Sequence, residues 1–182
     1  ALVIGGRATT AGQVCETFNG TEFTGCFDLD AGTGVANGNS AHAADIDGDG
    51  AQEVILSSDY PLLGRNRPYH INAGPTSALG TLFGSGAQLT KDLAFGDLNG
   101  DGIMDIVECN GASAFPDRVI SSDDMATEIW VASIASYTSA CEVGDVDGDG
   151  SLDLVSAYGS PPRIVVHTGF GASYFPLGDS LV

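Results

Sequence analysis

The chain is poor in positive charge. Its 182 residues include 6 Lys+Arg against 24 Asp+Glu, which gives a formal net charge of -18. So few cations cannot form the basic surface that binds nucleic-acid phosphates or anionic lipids, so these are poor candidate partners. The acidic excess instead favours cations as ligands.

Long apolar runs are also missing. No run reaches the roughly 18 residues that a membrane-spanning helix needs. Hydrophobic residues nevertheless make up 43% of the chain, which is enough to bury a core, and the length suits one domain spanning residues 1–182. The chain begins Ala1-Leu2-Val3-Ile4 without an initiator Met, and we therefore expect a mature or excised segment.

Catalytic signatures are scarce. His42, His70 and His167 share no motif, and no G-x-S-x-G nucleophile elbow occurs. The single Trp130 lies in an apolar stretch, where core packing is more common than a sugar-binding role. We therefore expect a protein that is not an enzyme.

Three acidic segments repeat along the chain. They span residues 45–53, 97–105 and 145–153, and their first residues are 52 and then 48 positions apart. A short apolar stretch precedes each segment and a more strongly apolar one follows it. Short β-rich runs around a glycine-rich centre predict a β-hairpin.

Two further strands recur in each period. The third predicted strand falls at 13–18, 68–71, 118–120 and 163–167, and the fourth at 22–27, 81–83, 128–131 and 173–175. Four short strands per period are typical of a β-propeller blade. We therefore predict an all-β, propeller-like repeat of about three and a half blades, with approximate repeats at 1–52, 53–104, 105–152 and 153–182.

The two ends of the repeat pattern do not match. Leu2–Ile4 corresponds to a second strand without its first, and residues 180–182 resemble the approach to a further acidic loop that does not follow. Closed propellers have 4 to 8 complete blades. We therefore expect either a homo-oligomer or filament built head to tail, or a part of a larger propeller.

The acidic segments have the spacing of calcium loops. Side-chain oxygens at positions 1, 3, 5 and 9, with a backbone carbonyl at position 7 and Gly at position 6, suit a hard cation with six to eight oxygen ligands. The predicted ligands of three Ca²⁺ sites are Asp45, Asp47, Asp49, Ala51 and Glu53; Asp97, Asn99, Asp101, Ile103 and Asp105; and Asp145, Asp147, Asp149, Ser151 and Asp153.

An EF-hand is the obvious alternative to these loops. It requires Glu at position 12 and flanking helices. Position 12 is Leu56, Glu108 and Ser156 in the three loops, and the flanking residues are β-branched or Gly. The EF-hand is therefore rejected.

With their hairpin strands, the loops resemble FG-GAP repeats of the VCBS type, which are similar to the calcium-binding blades of integrin α-subunits. The resemblance is strongest at residues 41–58, 91–109 and 139–158. It implies a β-propeller with Ca²⁺ in the hairpin between the first two strands of a blade. It also implies an adhesive or scaffolding role.

Cysteine usage and a sequon indicate an oxidising compartment. The four cysteines are an even number, and Asn19-Gly20-Thr21 is an N-glycosylation sequon. Cys15 and Cys26 can pair across a local loop, which leaves Cys109 with Cys141, although the sequence allows three connectivities. We therefore expect a secreted, extracellular protein that is glycosylated at Asn19.

These features favour a calcium-stabilised extracellular structural or adhesive module, which assembles with copies of itself or belongs to a larger propeller. A carbohydrate-binding, lectin-like propeller is the alternative, because five Tyr and one Trp could supply aromatic contacts. A propeller enzyme acting on polysaccharide is a third, weaker alternative.

Overall fold

Short strands rich in β-branched and aromatic residues alternate with glycine-rich turns, and in the computed structural model they form four antiparallel sheets. The structure describes residues 2–5, 12–29, 38–58, 67–70, 89–112, 114–133, 137–159, 162–168 and 179–181. These ranges contain fourteen strands and no helix, so none of them holds a helix that could cross a membrane. The all-β prediction is confirmed.

Each sheet consists of strands that are consecutive in the chain. The first contains β1 (Leu2–Gly5), β2 (Gly12–Phe18) and β3 (Phe23–Leu29), and the second contains β4 (Gly38–Ala44), β5 (Glu53–Ser58) and β6 (Arg67–His70). The third contains β7 (Thr90–Gly96), β8 (Asp105–Asn110), β9 (Arg118–Ile120) and β10 (Glu128–Val131). The fourth contains β11 (Thr138–Gly144), β12 (Asp153–Gly159), β13 (Pro162–His167) and β14 (Asp179–Leu181).

The final strand differs from the sequence interpretation. Asp179–Leu181 pairs with β13, with Leu181 opposite Val165 and Asp179 opposite His167. It is therefore the outer strand of the fourth sheet, and the prediction that it approaches a further blade was wrong. Pairing here satisfies the backbone groups along an otherwise open edge of β13. The fourth strands predicted at 81–83 and 173–175 lie outside the described residues.

Two apolar clusters join the last three sheets. Ala44 and Ile55 of the second sheet pack with Leu93, Ile106 and Ile120 of the third. The other cluster joins the third sheet to the fourth and contains Ala94, Val107, Cys109, Val119, Cys141 and Leu154. Strand β8 is buried along its whole length because its alternating side chains enter both clusters.

The apolar residue at position 2 of each acidic loop has a different environment. Ile46 is buried in the cluster between the second and third sheets, and Leu98 in the cluster between the third and fourth. Burying such a side chain contributes about 1.5–3 kcal/mol. Val146, the third member, is 55% exposed. The first two loops therefore pack against the sheet that follows them, and the third loop leaves its apolar side chain exposed.

Candidate metal centres

The three acidic loops occupy equivalent places in the second, third and fourth sheets. Each joins the first two strands of its sheet: β4 to β5, β7 to β8, and β11 to β12. The glycines at positions 4 and 6 have φ between 72° and 91° in every loop. Residues with a Cβ atom rarely adopt this backbone conformation. Glycine therefore allows the backbone to turn twice within six residues.

Carboxylates at the start and middle of each loop bind the loop's own backbone. At position 1, Asp45, Asp97 and Asp145 each accept a hydrogen bond from the Gly at position 6, at 3.0, 2.9 and 3.1 Å. The N–H groups of Ala51, Ile103 and Ser151 donate to the carboxylate at position 5, namely Asp49, Asp101 and Asp149. These bonds hold the acidic side chains against a curved backbone.

The acidic residue at position 9 is fully buried in every loop. Glu53, Asp105 and Asp153 are each 0% exposed, and each opens the second strand of its sheet. Their carboxylates accept the N–H of Ile46, Leu98 and Val146 at 3.0, 3.0 and 2.9 Å. Position 9 therefore ties the end of the loop back to its beginning, which explains the recurring acid there.

One buried carboxylate oxygen in each loop lacks a hydrogen-bond partner. Among the described residues, these are Oδ1 of Asp45, Oδ1 of Asp105 and Oδ1 of Asp153. A buried anionic oxygen without a partner is costly, and a bound cation would remove that cost. The donor set fits a cation in this respect.

Two of the loops concentrate three carboxylates. Ligand oxygens of Asp45, Asp47 and Glu53 lie within 4.8 Å of one another, as do those of Asp145, Asp147 and Asp153. These two clusters could hold a metal ion, and carboxylate oxygens at such spacing favour Ca²⁺. Asp49 and Asp149 belong to the same loops but not to these groups of three.

The second loop differs because Asn99 takes the place of the acid at position 3. Its Nδ2 donates to Oδ2 of Asp101 at 2.9 Å. Burial raises the pKa of Asp105 to about 6, with a further contribution from the charges of Asp101 and Asp97, although the N–H groups of Leu98 and Asn99 lower it. This loop therefore carries less negative charge around the candidate metal site than the other two loops.

The described histidines have separate partners. Nε2 of His42 lies 3.1 Å from Oδ1 of Asp92, while Oδ2 of Asp92 accepts the N–H of Cys141 at 3.2 Å. Burial raises the pKa of Asp92, but the bonds from His42 and Cys141 outweigh this and lower it overall. His167 is buried and meets the edge of half-buried Trp130, with ring centroids 4.9 Å apart. His70 lies on β6, where only the backbone is described.

The cysteines form two disulfides. Cys15 bonds to Cys26 across the β2–β3 hairpin, and Cys109 of β8 bonds to Cys141 of β11. The second bond therefore links two sheets. Both pairs are those that the sequence favoured, and Asn19 lies in the exposed turn between β2 and β3.

A buried ion-pair network was missed by sequence reasoning. Arg118 is 4% exposed; its Nε donates to Glu108, and its Nη1 donates to Glu128 at 2.6 Å. The three residues lie on neighbouring strands β8, β9 and β10. The available signal was the placement of one of only six cations within a predicted strand.

Part of the chain is similar to a known family. Residues 45–108 match the family described as FG-GAP-like repeat. This segment includes the first two acidic loops, together with β5 and the first four residues of β8. No curated protein matches the chain significantly.

Proposed function

We propose that this chain, in which residues 45–108 form an FG-GAP-like repeat, is a calcium-stabilised structural or adhesive module of the extracellular space. The observation that carries the proposal is the buried, partnerless carboxylate oxygen present in all three acidic loops. The second loop is included as a proposed calcium site because it shares the hydrogen-bond pattern of the other two loops. Bound Ca²⁺ at three sites would reduce the formal charge from -18 to -12, since each ion adds two.

Calcium in this proposal stabilises the fold rather than transmitting a signal. Each loop crowds acidic side chains that repel one another without a cation, and an ion that binds only the folded state stabilises it by mass action. Extracellular modules bind Ca²⁺ at about 10⁻⁴ to 10⁻³ M. Such sites remain filled in a medium whose calcium concentration stays above their dissociation constant.

The four sheets act as propeller-type blades in this proposal. Supporting observations are the face-to-face packing of the second sheet on the third and of the third on the fourth. The position-2 residue of one loop packs on the following sheet in both cases. The exposed Val146 is the corresponding residue of the fourth sheet, and its exposure favours a further blade on that face.

The further blade comes from a second copy of the chain in our proposal. Apolar packing between neighbouring sheets already covers two such faces within one chain. A sheet of another copy could therefore pack on the exposed face of the fourth sheet. The contact joins different faces of the two copies and is therefore heterologous, which gives a ring or an open filament. The remainder of a larger propeller is the competing source of this blade.

An extracellular location is supported by the two disulfides, because cytosolic thiols are generally kept reduced. A structural rather than enzymatic role is supported by the described histidine side chains. His42 is paired with Asp92, and His167 packs on Trp130, so both serve contacts between elements of the fold. Among the residues that the structure describes, no specific contact favours the carbohydrate-binding or polysaccharide-degrading alternatives.

Calorimetric melting of the full chain with Ca²⁺, with Mg²⁺ and with EGTA tests the calcium proposal. Raising Ca²⁺ to 100 times the dissociation constant of one site adds about 2.7 kcal/mol, which in a chain of this size raises the Tm by about 5–10 °C for each site filled. Mg²⁺ should give a smaller rise because it demands octahedral geometry and dehydrates reluctantly. Identical melting curves with Ca²⁺ and with EGTA would contradict the proposal.

A further inference from the structure

The N-glycosylation sequon lies at the tip of the β2–β3 hairpin in an exposed tight turn. Asn19, Gly20 and Thr21 are all exposed, and Gly20 has a φ of 99°. The Oδ1 atom of Asn19 accepts hydrogen bonds from the N–H groups of Thr21 and Glu22, both at 3.0 Å. The side-chain amide is therefore oriented by its own turn.

The acceptor nitrogen of this sequon is accessible. The hydrogen bonds of the Asn19 side chain within the described residues are made by Oδ1, which leaves Nδ2 without one. Nδ2 is the atom that carries an N-linked oligosaccharide. The Thr21 hydroxyl that defines the sequon is likewise on an exposed residue.

Two exposed aromatic rings flank the same turn. Phe18 and Phe23 are 57% and 41% exposed, and their ring centroids are 4.9 Å apart. They are opposite each other on the last rung of the β2–β3 pairing, immediately before and after the turn. Covering both rings would remove apolar area from water, which is favourable.

We propose that Asn19 carries an N-linked oligosaccharide whose first sugar covers the Phe18–Phe23 pair. The C–H face of a sugar ring is apolar, so placing it on a phenyl ring removes apolar area from water. Attachment at Asn19 holds that sugar next to both rings without any further cost of association. The inference shares the extracellular location of the proposed function but does not depend on calcium or on assembly.

The modification is a glycosyl transfer from an oligosaccharide carried on a lipid diphosphate. Nδ2 of Asn19 forms a bond to the anomeric carbon, and the bond from that carbon to the diphosphate oxygen breaks. The lipid diphosphate leaves with the bonding electrons, and Nδ2 gives one proton to a base of the transferase. No oxidant or reductant is needed.

Expression of the full chain in a eukaryotic secretory cell line tests the site. Peptide mapping should find the glycan on the peptide containing Asn19, and N-glycosidase should convert this residue to Asp. Asn19→Gln and Thr21→Ala should abolish the modification, whereas Thr21→Ser should retain it because the hydroxyl remains. Secreted wild-type chain with unmodified Asn19 would overturn the proposal, whatever the outcome of the calcium experiment.

Melting of the glycosylated and enzymatically deglycosylated forms tests the packing. The glycosylated wild type should have the higher Tm, and the double variant Phe18→Ala/Phe23→Ala should lose this difference. Tyr137→Ala removes another exposed aromatic ring, outside the turn, and should leave the difference unchanged. An equal glycan effect in the double variant would overturn the packing. So would self-association of the glycosylated chain that the double variant abolishes, because the rings would then contact another chain.

Discussion

The hydroxyl of Thr138 donates a hydrogen bond to Oδ2 of Asp117 at 2.8 Å, and this contact joins the fourth sheet to the segment that leads into β9 of the third. Ser156 of β12 contacts the same oxygen at 3.3 Å, and the N–H of Asn110 donates to Oδ1 at 2.8 Å. Burial raises the pKa of Asp117 to about 6, although hydrogen bonds from Asn110, Thr138, Ser156 and Tyr158 lower it. Asp117 is therefore a buried acid between two sheets.

Replacing Asp117 by Asn should change how stability depends on pH. The pKa of Asp117 is about 6 in the folded chain and near 3.8 when unfolded, so the folded state binds the proton more tightly. The protonated carboxyl of Asp117 therefore stabilises the folded chain below about pH 4, and this stabilisation is lost as the pH rises to about 6. This loss amounts to about 3 kcal/mol.

Urea unfolding of the wild type and Asp117→Asn at several pH values, with saturating Ca²⁺, measures this effect. The other ionisable groups are the same in both proteins, so their effects cancel in the comparison. The stability of the variant relative to the wild type should rise between about pH 4 and 6 and then level off. A difference that stays constant across this range contradicts the prediction.

The disulfide between sheets should stabilise the chain more than the hairpin disulfide. Cys109 and Cys141 are 32 residues apart, whereas Cys15 and Cys26 are 11 apart. Loop-closure entropy then gives about 3.7 kcal/mol for the longer loop and about 2.8 kcal/mol for the shorter one. The double variants Cys109→Ser/Cys141→Ser and Cys15→Ser/Cys26→Ser, unfolded in urea, measure both values. Equal or reversed losses would contradict the prediction that the longer closed loop contributes more.

Calcium affinity should differ among the three loops. Asn99 leaves the second loop with one acid fewer, and affinity falls with ligand charge. Asn99→Asp should strengthen the weakest site in a calorimetric Ca²⁺ titration, by about tenfold on the same principle. Asp153→Asn should weaken the third site by a similar factor.

Glu22→Gln is the matched control for these loop variants, because it removes an exposed carboxylate from the β2–β3 turn of the first sheet, away from the acidic loops. Its titration should match the wild type. If it lowers the affinity as much as Asp153→Asn does, the effect comes from overall charge and the assigned ligands are wrong.

Repetition explains what could be predicted from the sequence. The three acidic loops share one spacing, so each candidate ligand position recurs three times, and the strands beside them followed from the same period. Asp117 and Arg118 occur once, and their importance depends on which sheets meet, which spacing does not reveal. The last strand was wrongly assigned because residues 168–178 are rich in Gly and lack an alternating pattern. The sequence therefore contained no sign that residues 179–181 pair with β13.

The position-2 residues of the loops should respond differently to truncation. Ile46 and Leu98 are 1% and 2% exposed, whereas Val146 is 55% exposed. Ile46→Ala and Leu98→Ala should each lower the free energy of unfolding by about 2–5 kcal/mol, because they leave cavities between packed sheets. Val146→Ala should lower it by less than about 0.5 kcal/mol in the isolated chain, as surface changes do.

The same residue tests assembly, because Val146 lies on the face proposed to receive a second copy. Light scattering of the chain with Ca²⁺ should detect dimers or larger species, whereas the polypeptide of one chain weighs 18.5 kDa before any glycan is added. Val146→Asp should shift them towards the monomer by placing a charge in an apolar contact. Gln52→Asp adds the same charge at another exposed loop position and should not disturb assembly. A stable monomer at all concentrations would defeat self-assembly, while the calcium dependence of the Tm would stand independently.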